Sequence, residues 1–361
     1  RPAPPLTAAD VAKQPTLSDP SDQARDLNQR ARSYLHANCG HCHRFGGGGS
    51  VDLELHAFVD LDKTKALDVP PHQGAFDLPD ARVIAPGAAD RSTLYYRMAK
   101  FGRGRMPRLG SDWPDEAGLA LVRDWIDRLP AKGAPHADGN GDARAPATDD
   151  IDRRLATPAA GLELARLVGR DRLPAATRRE VLTRAAKLSP GPVRDLFEGY
   201  FPTEGRERKL GSNPRPAAIL GLKGDAERGR AVFFAEGMQC QNCHRVGDKG
   251  TALGPDLSAI GKARSREDLL DSILDPSRRI EPQYVSYNVE TTGGRQLTGL
   301  LVKRDAAEVV LRDAQNHEVR LRADEVARLA ASRVSLMPDG LLRDVTARQA
   351  ADLLEFLATR R

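Results

Sequence analysis

Cys39-Gly40-His41-Cys42-His43 and Cys240-Gln241-Asn242-Cys243-His244 are one pattern, Cys-x-x-Cys-His, written twice. Together they hold all 4 cysteines of the 361-residue chain, and each pair is followed by one of only 8 histidines. Chance would put a histidine after both pairs on the order of once in two thousand such chains, and the pattern reads as covalent attachment of haem c. The spacing has a chemical reason. Two thiols three positions apart reach the two vinyl groups on one edge of a porphyrin, and the adjacent imidazole comes up beneath the iron. Ribbon-type zinc sites hold their Cys pairs tens of residues apart, whereas these lie 201 apart. A redox dithiol would sit in a thioredoxin-like strand–helix unit, and no such pattern surrounds either pair. Two covalently attached haem c groups, with iron bound by His43 and His244, are the expected cofactors.

Iron held by histidine on one side takes a second axial ligand when it serves electron transfer, and methionine suits that role. The chain has 4 methionines. Met238 is tethered two residues before Cys240 and reads as packing. Met98 falls in Thr93-Leu-Tyr-Tyr-Arg-Met98, a helical stretch, where methionine is more often core than ligand. Met106 and Met337 each stand before a proline, in Gly104-Arg-Met106-Pro107 and Ser335-Leu-Met337-Pro338-Asp-Gly340, where proline and glycine hold an exposed loop. Met106 and Met337 are therefore the expected distal ligands. His317, in the polar turn Ala314-Gln-Asn-His317, reads as a solvated surface residue.

The two modules resemble class I c-type cytochromes, with a helix before the attachment motif, a Met-Pro loop after it and a helix to finish. Leu27, Ala31, Tyr34 and Leu35 recur at helical spacing before Cys39, and Leu119, Val122, Trp125, Ile126 and Leu129 make a stripe after Pro114-Asp-Glu116. Gly229 and Phe233 stand one turn apart before Cys240, and Thr346-x-x-Gln349 can cap a last helix carrying Leu353, Leu354 and Leu357. Gly254-Pro255-Asp256-Leu257 resembles the family's proximal loop, which implies that the Pro255 carbonyl accepts the proton-bearing ring nitrogen of His244. The first module has Gly46 to Gly49 where that loop would fall, so no such partner is evident for His43.

Between Asp275-Pro276 and Met337 lies an insertion at about 283–322, with strand-like runs at 284–290, 296–302, 308–311 and 318–321. It reads as an antiparallel sheet of three or four strands. With Gly224-Asp225-Ala-Glu-Arg-Gly229 and Met337-Pro-Asp-Gly340, it resembles the haem-binding domain of planctomycete and verrucomicrobial multidomain proteins. The first module is similar to cytochromes fused to quinoprotein sugar dehydrogenases. The expected fold is mainly α: two class I cytochrome c-like domains joined by a helical spacer, the second with a small antiparallel insertion. The expected organisation is a Pro-rich linker at 1–23, haem domain 1 at 24–130, a flexible linker at 131–150, a helical spacer at 151–219 and haem domain 2 at 220–361.

Composition narrows function. The net charge of +5 is spread along the chain without a basic block, so nucleic acid is not an expected partner. No stretch approaches the roughly 18 consecutive apolar residues of a membrane span. No signal peptide is present and the chain begins at Arg1, so a mature or excised product is expected. Haem c attachment implies the periplasm or another extracytoplasmic site. The expectation is an electron-transfer protein rather than an enzyme, with a dehydrogenase as donor and a cytochrome or oxidase as acceptor. A di-haem peroxidase, with one iron open to peroxide, or a haem-based sensor or binding module are the alternatives.

Overall fold

The structure, a computed structural model, describes residues 7, 14–44, 51, 53–108, 112–130, 150–202, 204, 206, 208–235 and 237–361. The expected linker at 131–150 lies outside the described residues except for Asp150, as does the Gly46 to Gly49 run. Of the N-terminal linker, the last residues are pinned. Ser18 N–H donates to Ser33 Oγ at 2.9 Å and Arg30 Nε donates to the Pro20 carbonyl at 2.9 Å.

In the first half, α1 (Leu27–Cys39) runs directly into the first motif, with Asp26 accepting from Gln29 N–H at its start. The short α2 (Thr93–Ala99) follows, and then α3 (Glu116–Arg128), capped by Asp115, which accepts from Ala117 and Gly118 N–H. The packing of α1 and α3 is clamped by Trp125 Nε1 donating to Asn28 Oδ1 at 2.9 Å. A Cβ at Gly118 would intrude on the Tyr34 ring, so only glycine lets these helices close.

The segment expected to be a spacer is not free-standing. Helices α4 (Pro158–Gly169) and α5 (Ala175–Ala186) and the turns up to Phe201 share one continuous core with the first module, in which Ile151, Leu164, Leu196 and Phe197 are fully buried. Polar ties reinforce it. Tyr96 OH donates to the Pro192 carbonyl at 2.8 Å, Phe101 N–H to that of Asp195 at 2.8 Å, and buried Lys100 pairs with Asp195 at 2.6 Å. The physical reason is simple: a stripe of leucines on a helix of about three turns must be buried against something, and the first module's surface is the available partner.

The second half is built on α6 (Ala226–Phe234), α7 (Arg266–Leu274) and α8 (Ala347–Ala358). Thr346 and Gln349 form the capping box that starts α8, at 3.1 and 2.9 Å. Helices α6 and α8 cross at Gly229, where a Cβ would run into the Asp352 carbonyl, and Phe233 meets Phe356 with ring centroids 5.6 Å apart. Buried Asp352 clasps the start of α6, accepting from Asp225 N–H and from Arg228 Nε and Nη2, each at 2.8 Å.

The insertion forms five strands rather than three or four: β1 (Ser286–Thr291), β2 (Gln296–Arg304), β3 (Glu308–Arg312), β4 (Glu318–Arg322) and β5 (Val326–Ala331). They are antiparallel in the order β4-β3-β2-β1-β5, around a small core of Val289, Leu297, Val309, Leu311 and Leu321. Strand β5 escapes notice in the sequence because none of its residues is fully buried, so Val326-Ala-Arg-Leu-Ala-Ala331 shows no clean alternation. The insertion begins and ends at one place: Ser335 N–H donates to Ser277 Oγ at 3.1 Å.

The helix crossing yields a prediction. Asp352→Ala removes three hydrogen bonds from one carboxylate, two of them charge-assisted, and is expected to destabilise the second half by about 3 kcal/mol. Gly229→Val is expected to prevent α6 and α8 from closing. Chemical denaturation followed by circular dichroism checks both, and a wild-type midpoint in either variant would contradict this packing.

Candidate functional site

The second motif occupies a single turn, Cys240–Cys243, at the end of the loop leaving α6. His244 N–H donates to the Cys240 carbonyl at 2.9 Å, and Leu253 and Gly254 N–H both donate to the Cys243 carbonyl at 3.0 and 2.7 Å. The following loop is thereby folded back under the imidazole. His244 Nδ1 lies 2.8 Å from the Pro255 carbonyl oxygen. A carbonyl only accepts, so Nδ1 carries the proton and Nε2 keeps its lone pair. The ring rests on Gly254, where a Cβ would stand 2.8 Å from Cε1. Burial lowers the pKa of His244, with the Pro255 bond opposing it, so the ring is neutral at pH 7.

Above this imidazole lies a small apolar pocket, open to solvent on one side, bounded by His244, Cys240 and Met337 and by apolar side chains including Phe233, Leu257 and Leu353. Half-buried Met337 is set in an irregular bend, its N–H donating to Ser335 Oγ at 3.1 Å. Because Ser335 is itself fastened to Ser277, the sheet hangs outside the site while Met337 stays at its wall. Met238 also lines the cavity and is 1% exposed, so its packing role and its place at the wall coincide. Its position two residues before Cys240 is the sequence signal for that proximity. Burial pushes the Cys240 thiol up to about 12 and raises that of Cys243. No disulfide joins these two, nor Cys39 and Cys42.

The first motif closes α1. His43 N–H donates to the Cys39 carbonyl at 2.8 Å, and the chain returns so that Leu55 N–H donates to the His43 carbonyl at 2.8 Å. Burial pushes the Cys39 thiol to about 12 and lowers the pKa of His43, with the charge of Arg97 acting in the same direction. His43 Nδ1 is buried without a hydrogen-bond partner among the described residues, in contrast to His244. Met98 is a core residue of α2, 6% exposed. Half-buried Met106 follows in an irregular loop joined to α2: its N–H donates to the Arg97 carbonyl at 2.9 Å, and Arg97 Nη1 donates to the Gly104 carbonyl at 2.8 Å. Arg97, a neighbour of His43, thus ties the Met106 loop to that side of the first half; this arginine carries no signal in the sequence. A small recess open to solvent lies one turn back along α1, against Arg32, Leu35, His56 and Trp125. His317 is far from either role, 61% exposed in the turn between β3 and β4.

A crossed pair of terminal helices, a Cys-x-x-Cys-His turn, a carbonyl-locked imidazole and a thioether on one apolar cavity define a c-type cytochrome site. Residues 226–360 match the cytochrome c family, so the C-terminal part of the chain carries a cytochrome c domain. The chain is also similar to the "Cytochrome c-553-like" protein of Synechocystis sp., 33% identical over 72 residues, covering 20% of this chain and 65% of that relative. The aligned stretch therefore spans a little under two thirds of that relative's length. A cytochrome c domain implies covalently bound haem c, and the second site fits it: the walls are apolar, and the metal-binding atoms offered are the imidazole nitrogen of His244 and the thioether sulfurs of Met337 and Met238. Among the described residues no helix is long and apolar enough to cross a membrane.

Gly254→Val is expected to push the His244 ring off its seat. The variant should keep its helix content by circular dichroism while losing the low-spin absorption spectrum of haem bound at the second motif. An unchanged low-spin spectrum would contradict the assignment of Gly254 as the support beneath the imidazole.

Proposed function

We propose that the chain is a di-haem c-type cytochrome carrying single electrons between a periplasmic dehydrogenase, fused or separate, and a cytochrome or oxidase acceptor. The observation that supports this most is the arrangement of His244, locked by Pro255, with Cys240 and Met337 on one apolar cavity. Bound haem c supplies a one-electron ferric/ferrous couple. The chain's own residues do the rest. Cys39, Cys42, Cys240 and Cys243 would hold the group covalently, each by adding its S–H across one vinyl group to form a thioether. His43 and His244 would each offer a neutral imidazole nitrogen to the iron, and Met106 and Met337 a thioether sulfur. Phe233, Leu257 and Leu353 keep water from the second site, which keeps both ligands in place and reorganisation small. The recurrence of the motif in a second helix-crossed setting supports a second haem at Cys39, Cys42 and His43.

The purified holoprotein is expected to yield two haems per chain by pyridine haemochrome, both low-spin, with a ferric Met–iron charge-transfer band in the near infrared. Met106→Ala and Met337→Ala should each remove part of that band and together all of it. One haem per chain, or a band surviving in the double variant, would contradict the proposal. A redox titration should also resolve two potentials. Among the described residues only His244 of the two has a carbonyl partner at Nδ1, which strengthens it as a donor and favours ferric iron, so its site is expected at the lower potential. Pro255 offers its main-chain oxygen, so Pro255→Ala should leave this ordering intact.

A further inference from the structure

The two halves meet at the two segments that matter for the sites. Gly237 packs against the first half's loop, where a Cβ would stand 3.3 Å from Arg103 Cγ and 3.5 Å from the Cα of Gly104. Two residues on, Gln239 Nε2 donates to Gln73 Oε1 at 3.0 Å. Gln73 is in turn held by Arg97, whose guanidinium also binds the Gly104 carbonyl. A second clasp joins the distal loops. Arg343, six residues after Met337, donates from Nη1 to the Arg108 carbonyl at 2.8 Å and pairs through Nη2 with Asp112 at 3.0 Å. Arg108 stands two residues after Met106.

The backbone at this seam is unusual. Gln239 has φ +65°, a left-handed conformation that glycine adopts freely and a glutamine adopts only at a cost of about 1 kcal/mol. Glutamine's side chain is what glycine could not supply there, and its amide is spent on the other half of the molecule. Strain retained beside a site points to a requirement placed on that site.

We infer that this seam is the internal electron-transfer junction of the chain, setting the Cys240 edge of the second site against the Met106 loop of the first. The inference rests on the di-haem reading. The step is a single exchange: one electron leaves ferrous iron at one site and enters ferric iron at the other, with no bond made or broken and no proton moved. Tunnelling falls off exponentially with separation, so the chain's contribution is to forbid the halves from parting. From Gly104 to Met106 and from Gly237 to Cys240 are only two and three residues, which limits each reach to about 8 and 11 Å of chain.

The test uses the full-length holoprotein and the variant Gln239→Gly/Arg343→Ala. Glycine accepts the φ at 239, so the variant is expected to fold with both haem spectra unchanged. After rapid partial reduction, electron equilibration between the two haems is expected to slow by about tenfold or more, equivalent to raising the effective barrier to transfer by roughly 1.4 kcal/mol or greater. Amide hydrogen exchange at 103–108 and 237–240 is expected to accelerate in the same variant. Unchanged equilibration with two haems counted overturns the junction alone, as does unchanged exchange protection. A count of one haem in the wild-type chain overturns the di-haem reading and the junction with it.

Discussion

The close crossing of the first and last helices is the constraint on which the second site depends. Helices α6 and α8 touch backbone to backbone because residue 229 has no side chain, and buried Asp352 ties the start of α6 to the last helix through three hydrogen bonds. That crossing leaves Phe233, Leu353 and Leu357 on one apolar wall and delivers Cys240 to its edge. The first half solves the same problem with the parts exchanged. There the glycine, Gly118, is on the last helix and the aromatic ring, Tyr34, is on the first.

From that frame the chemistry follows by short steps. The loop after the second motif is folded under His244 by two N–H groups converging on the Cys243 carbonyl, and this brings the Pro255 oxygen to Nδ1. The opposite wall is held by a different device, the Ser277–Ser335 link, which closes off the five-stranded sheet and leaves Met337 at the pocket wall. His43 lacks the carbonyl partner among the described residues.

Much of this was legible in the sequence, for identifiable reasons. Cys-x-x-Cys-His is read directly because covalent attachment fixes its spacing, and the capping boxes and helix stripes are local patterns that need no tertiary knowledge. The proximal loop was visible through the Gly254-Pro255 pair. What the sequence concealed is tertiary. Residues 151–201 have the composition of a spacer, and only the burial of Ile151, Leu164 and Phe197 reveals a shared core. Strand β5 lacks alternation because it is half exposed on both faces. Gln73, Gln239 and Arg343 are ordinary polar residues in sequence, and their role emerges only where two distant loops meet.

The central claim is that two methionines, one in each half, complete two haem sites in a single chain. A proton NMR spectrum of the fully reduced protein tests it most directly, since a methionine methyl group on a porphyrin face is shifted far upfield by the ring current. The account predicts two such three-proton resonances, one absent in Met106→Leu and the other in Met337→Leu. A single resonance, or a pair left intact by either substitution, would contradict it.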